Sequence, residues 1–151
     1  MPKHTRLAIA LGCALLGTFA AAAIASVADF KNPLDDSKME FPLKAGETET
    51  PQLKDFKTTG ANPYRGDAKA TTEGKELYEQ WCQACHNADG SGRMGPQLIG
   101  KDFKYPQTAT DPGMFAIIYG GARGAMQAFS TREVTQDEML KIIAHVRTLD
   151  K

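Results

Sequence analysis

The sequence predicts an all-α protein, in which about three main helices follow an irregular N-terminal extension. Three amphipathic segments with local start signals support this prediction, and the glycine-rich segments between them lack strand periodicity. The chain has 151 residues, which fits one small domain with an extension. Its 18 Lys and Arg balance 18 Asp and Glu. This balance argues against a nucleic-acid binder and favours a protein or a small molecule as partner.

Each predicted helix has a recognisable start. The first spans residues 71–85 and begins at a threonine cap, either Thr71 or Thr72. The second spans residues 111–119, where Asp-Pro starts the helix and Gly-Gly ends it. The third spans residues 135–149 and begins with a threonine–glutamate capping box. Apolar residues follow helical spacing in all three: Leu77, Tyr78, Trp81, Met114, Phe115, Ile117, Ile118, Met139, Ile142, Ile143, Val146 and Leu149.

Residues 1–28 have the layout of a secretory signal peptide. Basic residues precede an Ala-rich apolar run, and small residues permit cleavage after Ala25 or, as we prefer, after Ala28. An uncleaved membrane anchor and a lipoprotein acylated at Cys13 are the alternatives. The sequence thus predicts an exported, periplasmic protein without an anchor after cleavage. The second cleavage leaves 16 basic and 18 acidic residues, a formal charge of −2.

Residues 29–69 form the predicted extension. They contain four prolines and many charges, and neither helical nor strand periodicity is evident. Eight large apolar residues are scattered along them, which is more than a free linker needs. We therefore expect an irregular arm that packs on the folded domain of residues 70–151, with a disordered tail as the alternative.

The chemistry concentrates in residues 82–86, Cys-Gln-Ala-Cys-His. This spacing is the attachment signature of c-type haem, in which Cys82 and Cys85 form thioethers and His86 becomes the proximal iron ligand. A redox Cys-x-x-Cys pair would need a βα context, and a structural zinc would need four ligands. A plain disulfide would leave the histidine unexplained. We therefore predict one covalently bound haem c.

The second axial ligand is predicted to be Met126. It lies forty residues beyond His86, in a stretch of small residues that lets the backbone run close to a flat cofactor. Met94 has little chain with which to round the haem edge, and Met114 has the spacing of a core residue. His145 is the rival ligand, although its position on an amphipathic helix favours packing.

Residues 70–151 resemble class I monohaem cytochromes c. The resemblance rests on the first helix before Cys-x-x-Cys-His, on Gly95-Pro96-x-Leu98, on Met126-x-x-Phe129 and on the last helix. It implies a class I cytochrome c fold in which the terminal helices cross. It also implies that the carbonyl of Pro96 accepts the Nδ1 proton of His86. His145 stands where this class often has an aromatic residue, so we expect a looser helix contact there.

The sequence is more closely similar to the cytochrome cL family. Segments 92–96, 105–115, 118–122, 124–126 and 135–140 carry this similarity. It implies a periplasmic one-electron carrier, not an enzyme, that accepts electrons from a PQQ-dependent methanol dehydrogenase or related alcohol dehydrogenase. A downstream cytochrome c or oxidase would receive them. A carrier in another respiratory pathway and a haem protein with an open sixth position are the alternatives.

Four residues are candidates to hydrogen-bond the haem propionates. A cationic or N–H donor offsets a carboxylate, and the chain offers Arg93, Arg123, Tyr105 and Trp81 in suitable segments. Solvated surface or core positions are the alternative for each.

Overall fold

The computed structural model describes residues 28–150, so Cys13 and all of the predicted signal peptide except Ala28 lie outside the described residues. Within this range the fold is helical, and its only bridge of β type joins Lys31 and Lys38. The α-helices are α1 (Pro51–Thr59), α2 (Ala68–Trp81), α3 (Gln83–His86), α4 (Asp111–Gly120) and α5 (Gln136–Leu149). Short 3₁₀ turns occupy Pro106–Ala109 and Phe129–Thr131. No helix in the described range has the length and apolar character required to cross a bilayer.

The predicted helices correspond to α2, α4 and α5, with small shifts at their starts. Helix α2 begins before the predicted threonine cap because Asp67 caps it, accepting a hydrogen bond from the Ala70 amide at 2.8 Å. In α4 the cap is Thr110, one residue before the predicted start. The capping box of Thr135 and Glu138 in α5 is confirmed. Local capping chemistry therefore sets all three starts.

Helices α2 and α5 pack against each other along most of their length. Their closest approach is at Gly74, where a Cβ atom would overlap the carbonyl oxygen of Lys141. The ring of His145 lies 5.4 Å from that of Tyr78, centroid to centroid. The expected looser contact at His145 is therefore wrong, because the imidazole packs on the first helix of the pair. Burial and nearby Lys75 lower the pKa of His145, which favours the neutral ring.

The expectation that residues 29–69 lack regular structure is wrong at α1. Thr50 caps this helix through a 3.1 Å hydrogen bond from the Leu53 amide, Pro51 occupies its first position, and Gly60 ends it with φ of 74°. Only two apolar residues, Leu53 and Phe56, face the core, and both are fully buried. Two apolar residues are too few to produce a detectable period, so apolar periodicity does not predict this helix.

We call residues 28–67 the arm. Its aromatic side chains are part of the main core. The ring centroid of Phe30 lies 5.0 Å from that of Phe41 and 5.3 Å from that of Phe56. Phe41 and Phe56 each lie 5.0 Å from Phe115 of α4. The arm is thus packed against the domain, as its scattered apolar residues indicated, and it is an integral part of the core.

A buried carboxylate joins three parts of the fold. Asp111, only 8% exposed, accepts hydrogen bonds from Arg65 of the arm at 2.7 and 2.8 Å and from Arg147 of α5 at 2.9 Å. Arg147 also donates to the carbonyl oxygen of Thr108 at 2.8 Å. Burial opposes ionisation of Asp111, but the hydrogen bonds to both guanidinium groups outweigh it and hold the pKa of this carboxyl below its ordinary value.

Candidate functional site

A cavity of about 710 Å³ opens among α2, α4, α5 and the loops that connect them. Its volume lies within the range of about 300–1,000 Å³ that is typical of ligand pockets. Most of its lining is apolar, and it brings together residues that are distant in sequence. The lining includes Trp81, Cys82, Cys85, His86, Leu98, Met114, Ile117, Ile118, Met126, Phe129, Ile142 and Val146.

A tight turn between α2 and α3 brings Cys82, Cys85 and His86 to the cavity. Cys82 ends α2, its amide donating to the Tyr78 carbonyl at 2.9 Å, and its own carbonyl accepts from the His86 amide at 3.0 Å. This single helical turn brings the Cys85 thiol to the same cavity as the Cys82 thiol. Both cysteines are free and half-buried. The local sequence thus presents two thiols and one imidazole to a single space.

The imidazole of His86 is fixed in orientation. The side chain is 7% exposed, and its Nδ1 lies 2.8 Å from the carbonyl oxygen of Pro96, to which it donates. Gly95 lies directly against the ring, and a Cβ atom there would be 2.5 Å from Cε1. With Nδ1 used in this way, Nε2 is the nitrogen with a free lone pair. The imidazole is therefore prepared to act as a metal ligand through Nε2.

The electrostatics at Cys82 argue against a reactive thiol at this position. Burial, with a smaller contribution from Cys85, raises the pKa of Cys82 to about 12. A redox-active or metal-binding cysteine is normally a thiolate at neutral pH, whereas this thiol stays protonated. Among residues 28–150, no three His, Cys, Asp or Glu side chains are grouped so that they could hold a metal ion by themselves.

Met126 also lines the cavity. It is half-buried, and its carbonyl accepts from the Ala122 amide at 3.0 Å, which closes a tight loop. Gly121, with φ of 81°, allows this closure, since a Cβ atom there would lie 2.8 Å from the Ala128 nitrogen. Met114 also lines the cavity, within α4. His145, the rival candidate, is not among the lining residues.

Comparison with known proteins identifies the family. Residues 69–146 match the family model described as cytochrome C oxidase, cbb3-type, subunit III. Cytochrome c-L from Methylorubrum extorquens is 35% identical over 153 residues, covering 93% of this chain and 77% of that protein. The chain belongs to the cytochrome c-L family.

Solved structures agree with this assignment. Cytochrome cL from the marine methylotrophic bacterium Methylophaga aminisulfidivorans has a TM-score of 0.76 and 32% identity, covering 82% of this chain and 81% of that one. Cytochrome cL from Hyphomicrobium denitrificans has a TM-score of 0.74 and 32% identity, covering 83% and 76%. The fold is thus the class I cytochrome c fold of cytochrome c-L. Its relatives are electron carriers, and the chain is a c-type cytochrome with covalently attached haem c.

The cavity has the donor set that haem c requires. Two cysteine thiols, an imidazole with a free Nε2 and a thioether line one largely apolar space. The hydrogen bond to Pro96 and the close approach of Gly95 hold the His86 ring in place. These features fit the covalent haem of cytochrome c-L, and the residues that would hold it are Cys82, Cys85, His86 and Met126.

Three of the four residues predicted to hydrogen-bond the haem propionates line the cavity. Trp81, Tyr105 and Arg123 line the cavity, and the Arg123 amide donates to the Tyr105 hydroxyl oxygen at 3.3 Å. Arg93 is exposed and is not among the lining residues. The structure thus brings three of the four propionate candidates together.

Sequence reasoning missed further polar residues at the rim. Lys104, Gln127 and Arg132 line the cavity, and Arg132 hydrogen-bonds through its guanidinium to the Gln127 side chain. No Asp or Glu is among the lining residues, so the rim is cationic. Of these three residues, only Gln127 had a sequence signal for a place at the cavity, namely its position next to Met126. The other two residues are brought to the rim by tertiary contacts alone.

Proposed function

We propose that this cytochrome is a periplasmic one-electron carrier that accepts electrons from a PQQ-dependent methanol dehydrogenase or related alcohol dehydrogenase. It passes them to a downstream cytochrome c or oxidase and catalyses no reaction of its own. The observation that carries the proposal is the single cavity that Cys82, Cys85, His86 and Met126 all line.

The site residues have distinct proposed roles. Haem c, when bound, supplies an iron that changes reversibly between ferrous and ferric states and so holds one electron. Cys82 and Cys85 attach the cofactor, while His86 and Met126 are its axial ligands. Pro96 orients His86 by accepting its Nδ1 proton, with an oxygen–nitrogen distance of 2.8 Å. A thioether ligand favours the reduced state and raises the reduction potential.

The walls suit a carrier rather than an enzyme. Apolar side chains from α4 and α5, such as Ile117, Ile142 and Val146, line the cavity and exclude water. A low local dielectric and fixed ligands limit the reorganisation that accompanies electron transfer. The rim residues Arg123 and Tyr105 supply donors for the haem carboxylates, which offsets the charge that these groups bring into the cavity.

The identity of the electron donor is supported by family membership. One solved cytochrome cL comes from a methylotrophic bacterium. The predicted signal peptide supports a periplasmic location, where a soluble donor and this carrier can meet. Methanol metabolism is therefore the pathway that we propose for this protein.

The test is stopped-flow absorbance of the oxidised holoprotein mixed with a PQQ methanol dehydrogenase and methanol. A generic class I cytochrome c in a parallel syringe is the control. We expect fast reduction that saturates with the concentration of this protein and much slower reduction of the control. Equal rates for both cytochromes would leave the haem in place and contradict the pairing with methanol dehydrogenase.

A further inference from the structure

One lysine of the arm reaches the loop that carries Met126, residues 121–134, which we call the Met loop. The ammonium of Lys44 donates to the carbonyl oxygen of Arg132 at 2.7 Å and also to that of Val134. Within residues 28–150, no other arm side chain hydrogen-bonds to the Met loop. Lys44 is therefore the side chain that links the arm to the Met loop by hydrogen bonds.

Lys44 is itself held in place by the fold. Its amide donates to Glu47 Oε2 at 2.9 Å, and the Glu47 amide donates to the Lys44 carbonyl at 3.0 Å, which closes a turn. Just before this turn, the carbonyl of Pro42 accepts from Gln136 Nε2 at 3.0 Å and from the Tyr119 hydroxyl at 3.2 Å. The lysine backbone is thus anchored to α4 and α5.

A path of contacts leads from Lys44 towards Met126. Arg132, whose carbonyl the lysine binds, hydrogen-bonds through its guanidinium to Gln127, the neighbour of Met126. Phe129, between them, lies edge-on to Trp81 with ring centroids 6.2 Å apart. The far end of the Met loop is thus attached to the cavity wall through these contacts and to the arm through Lys44.

The near half of the Met loop has few attachments of its own. Residues 123–125 are exposed, and the hydrogen bonds of this half come from three backbone amides, those of Gly121, Ala122 and Arg123. A loop of this kind opens at a low free-energy cost unless its ends are fixed. Hydrogen bonds from a charged ammonium to two carbonyls are stronger than neutral ones, so they are suited to fix one end.

We propose that Lys44 is a positioning residue that keeps the Met loop closed over the cavity and thereby keeps the Met126 thioether at the iron. The inference rests on the proposed ligation by Met126. It gives the arm a role in the reactivity of the site, in addition to its contribution to the core.

The test measures cyanide binding to the oxidised holoprotein by absorbance, because an added ligand can bind only when the thioether has left. Lys44→Met removes both hydrogen bonds and preserves the apolar stem. Lys57→Met is the matched control: Lys57 donates to the Phe41 carbonyl at 3.1 Å and to Glu49 at 3.2 Å, all within the arm. Lys44→Arg restores a charged donor. Thermal unfolding of every variant is measured in parallel.

We expect Lys44→Met to bind cyanide about tenfold faster than the parent, the change that ~1.4 kcal/mol of lost anchoring produces. Lys44→Arg should return towards the parent rate. Lys57→Met should keep the parent rate even if its melting temperature falls as far as that of Lys44→Met. Equal cyanide rates for the two methionine variants would overturn the proposal. If Lys44→Met does not accumulate, Lys44→Gln is compared with Lys57→Gln under the same criterion.

A separate outcome concerns the ligand assignment. If the parent binds cyanide as fast as a Met126→Ala variant, the thioether does not occupy the sixth position, and this proposal falls together with the axial role of Met126. Reduction by methanol dehydrogenase is measured separately, by the stopped-flow experiment. The failure of the inference and the failure of the electron-donor assignment are thus distinguishable.

Discussion

Phe56→Ala tests whether the arm belongs to the cooperative core. Phe56 is fully buried, and its ring centroid lies 5.3 Å from that of Phe30 and 5.0 Å from that of Phe115. Removing a buried phenylalanine ring costs about 3–5 kcal/mol of unfolding free energy, because apolar contacts are lost and a cavity remains. A domain of this size has a total stability of about 5–15 kcal/mol. One substitution in the arm should therefore remove a large part of the stability of the whole protein.

The assay is guanidinium unfolding of the holoprotein, followed by far-ultraviolet circular dichroism. Leu43→Ala is the control, since Leu43 is an arm residue that is 39% exposed, and its loss should change stability by less than about 0.5 kcal/mol. In thermal unfolding, Phe56→Ala should lower Tm by roughly 12–20 °C, at about 4 °C per kcal/mol. A loss below about 1 kcal/mol, with α2, α4 and α5 unfolding as before, would refute the conclusion that the arm is part of the core.

Three further predictions concern the site and the buried carboxylate. Met126→Ala should lower the reduction potential and open the iron to carbon monoxide, measured by redox titration and by a carbon monoxide difference spectrum; an unchanged spectrum and potential would contradict the ligand assignment. Gly95→Ala should displace the His86 ring, since the new Cβ would lie 2.5 Å from Cε1, and should reduce the haem content per purified chain; full haem content with the parent spectrum would contradict it. The lowered pKa of Asp111 means that its stabilisation is present above the unfolded pKa of about 3.9 and is lost as pH falls through the lower folded value. Asp111→Asn should lower the free energy of unfolding by about 3–5 kcal/mol at pH 7, and its difference from the parent should narrow as pH falls below about 3.9, which urea unfolding at several pH values measures.

The sequence was informative wherever the determining interactions are local. The starts of α2, α4 and α5 follow from side chains that bond to amides three residues away, and the capping box of Thr135 and Glu138 is the clearest case. Helix α1 also had local signals, namely Thr50 before Pro51 and a terminal Gly60. These signals do not depend on a period of apolar residues, which α1 lacks. Capping signals therefore identify short helices better than periodicity does.

In the site, too, the residues that lie close together in sequence were predictable and those brought in by tertiary packing were not. Cys82, Cys85 and His86 are adjacent in sequence, so one turn of helix brings them to the same cavity. The rim was harder to predict, because Lys104 and Arg132 reach the cavity only through the packing of loops on α4 and α5. Sequence spacing contains no information on such contacts.

The contacts between the arm and α5 also constrain the order of folding. Asn62 donates to the Leu140 carbonyl at 2.8 Å across 78 residues of sequence, so the core is closed by segments from the two ends of the described range. Contacts of long sequence separation form late, since the chain must first lose the entropy of a large loop. During synthesis the arm can pack on Phe115 of α4 before α5 has emerged, so its contacts with α5 are the last to form. Truncation of α5 would therefore leave the arm packed on α4 alone, without the Asn62 hydrogen bond that joins it to the last helix.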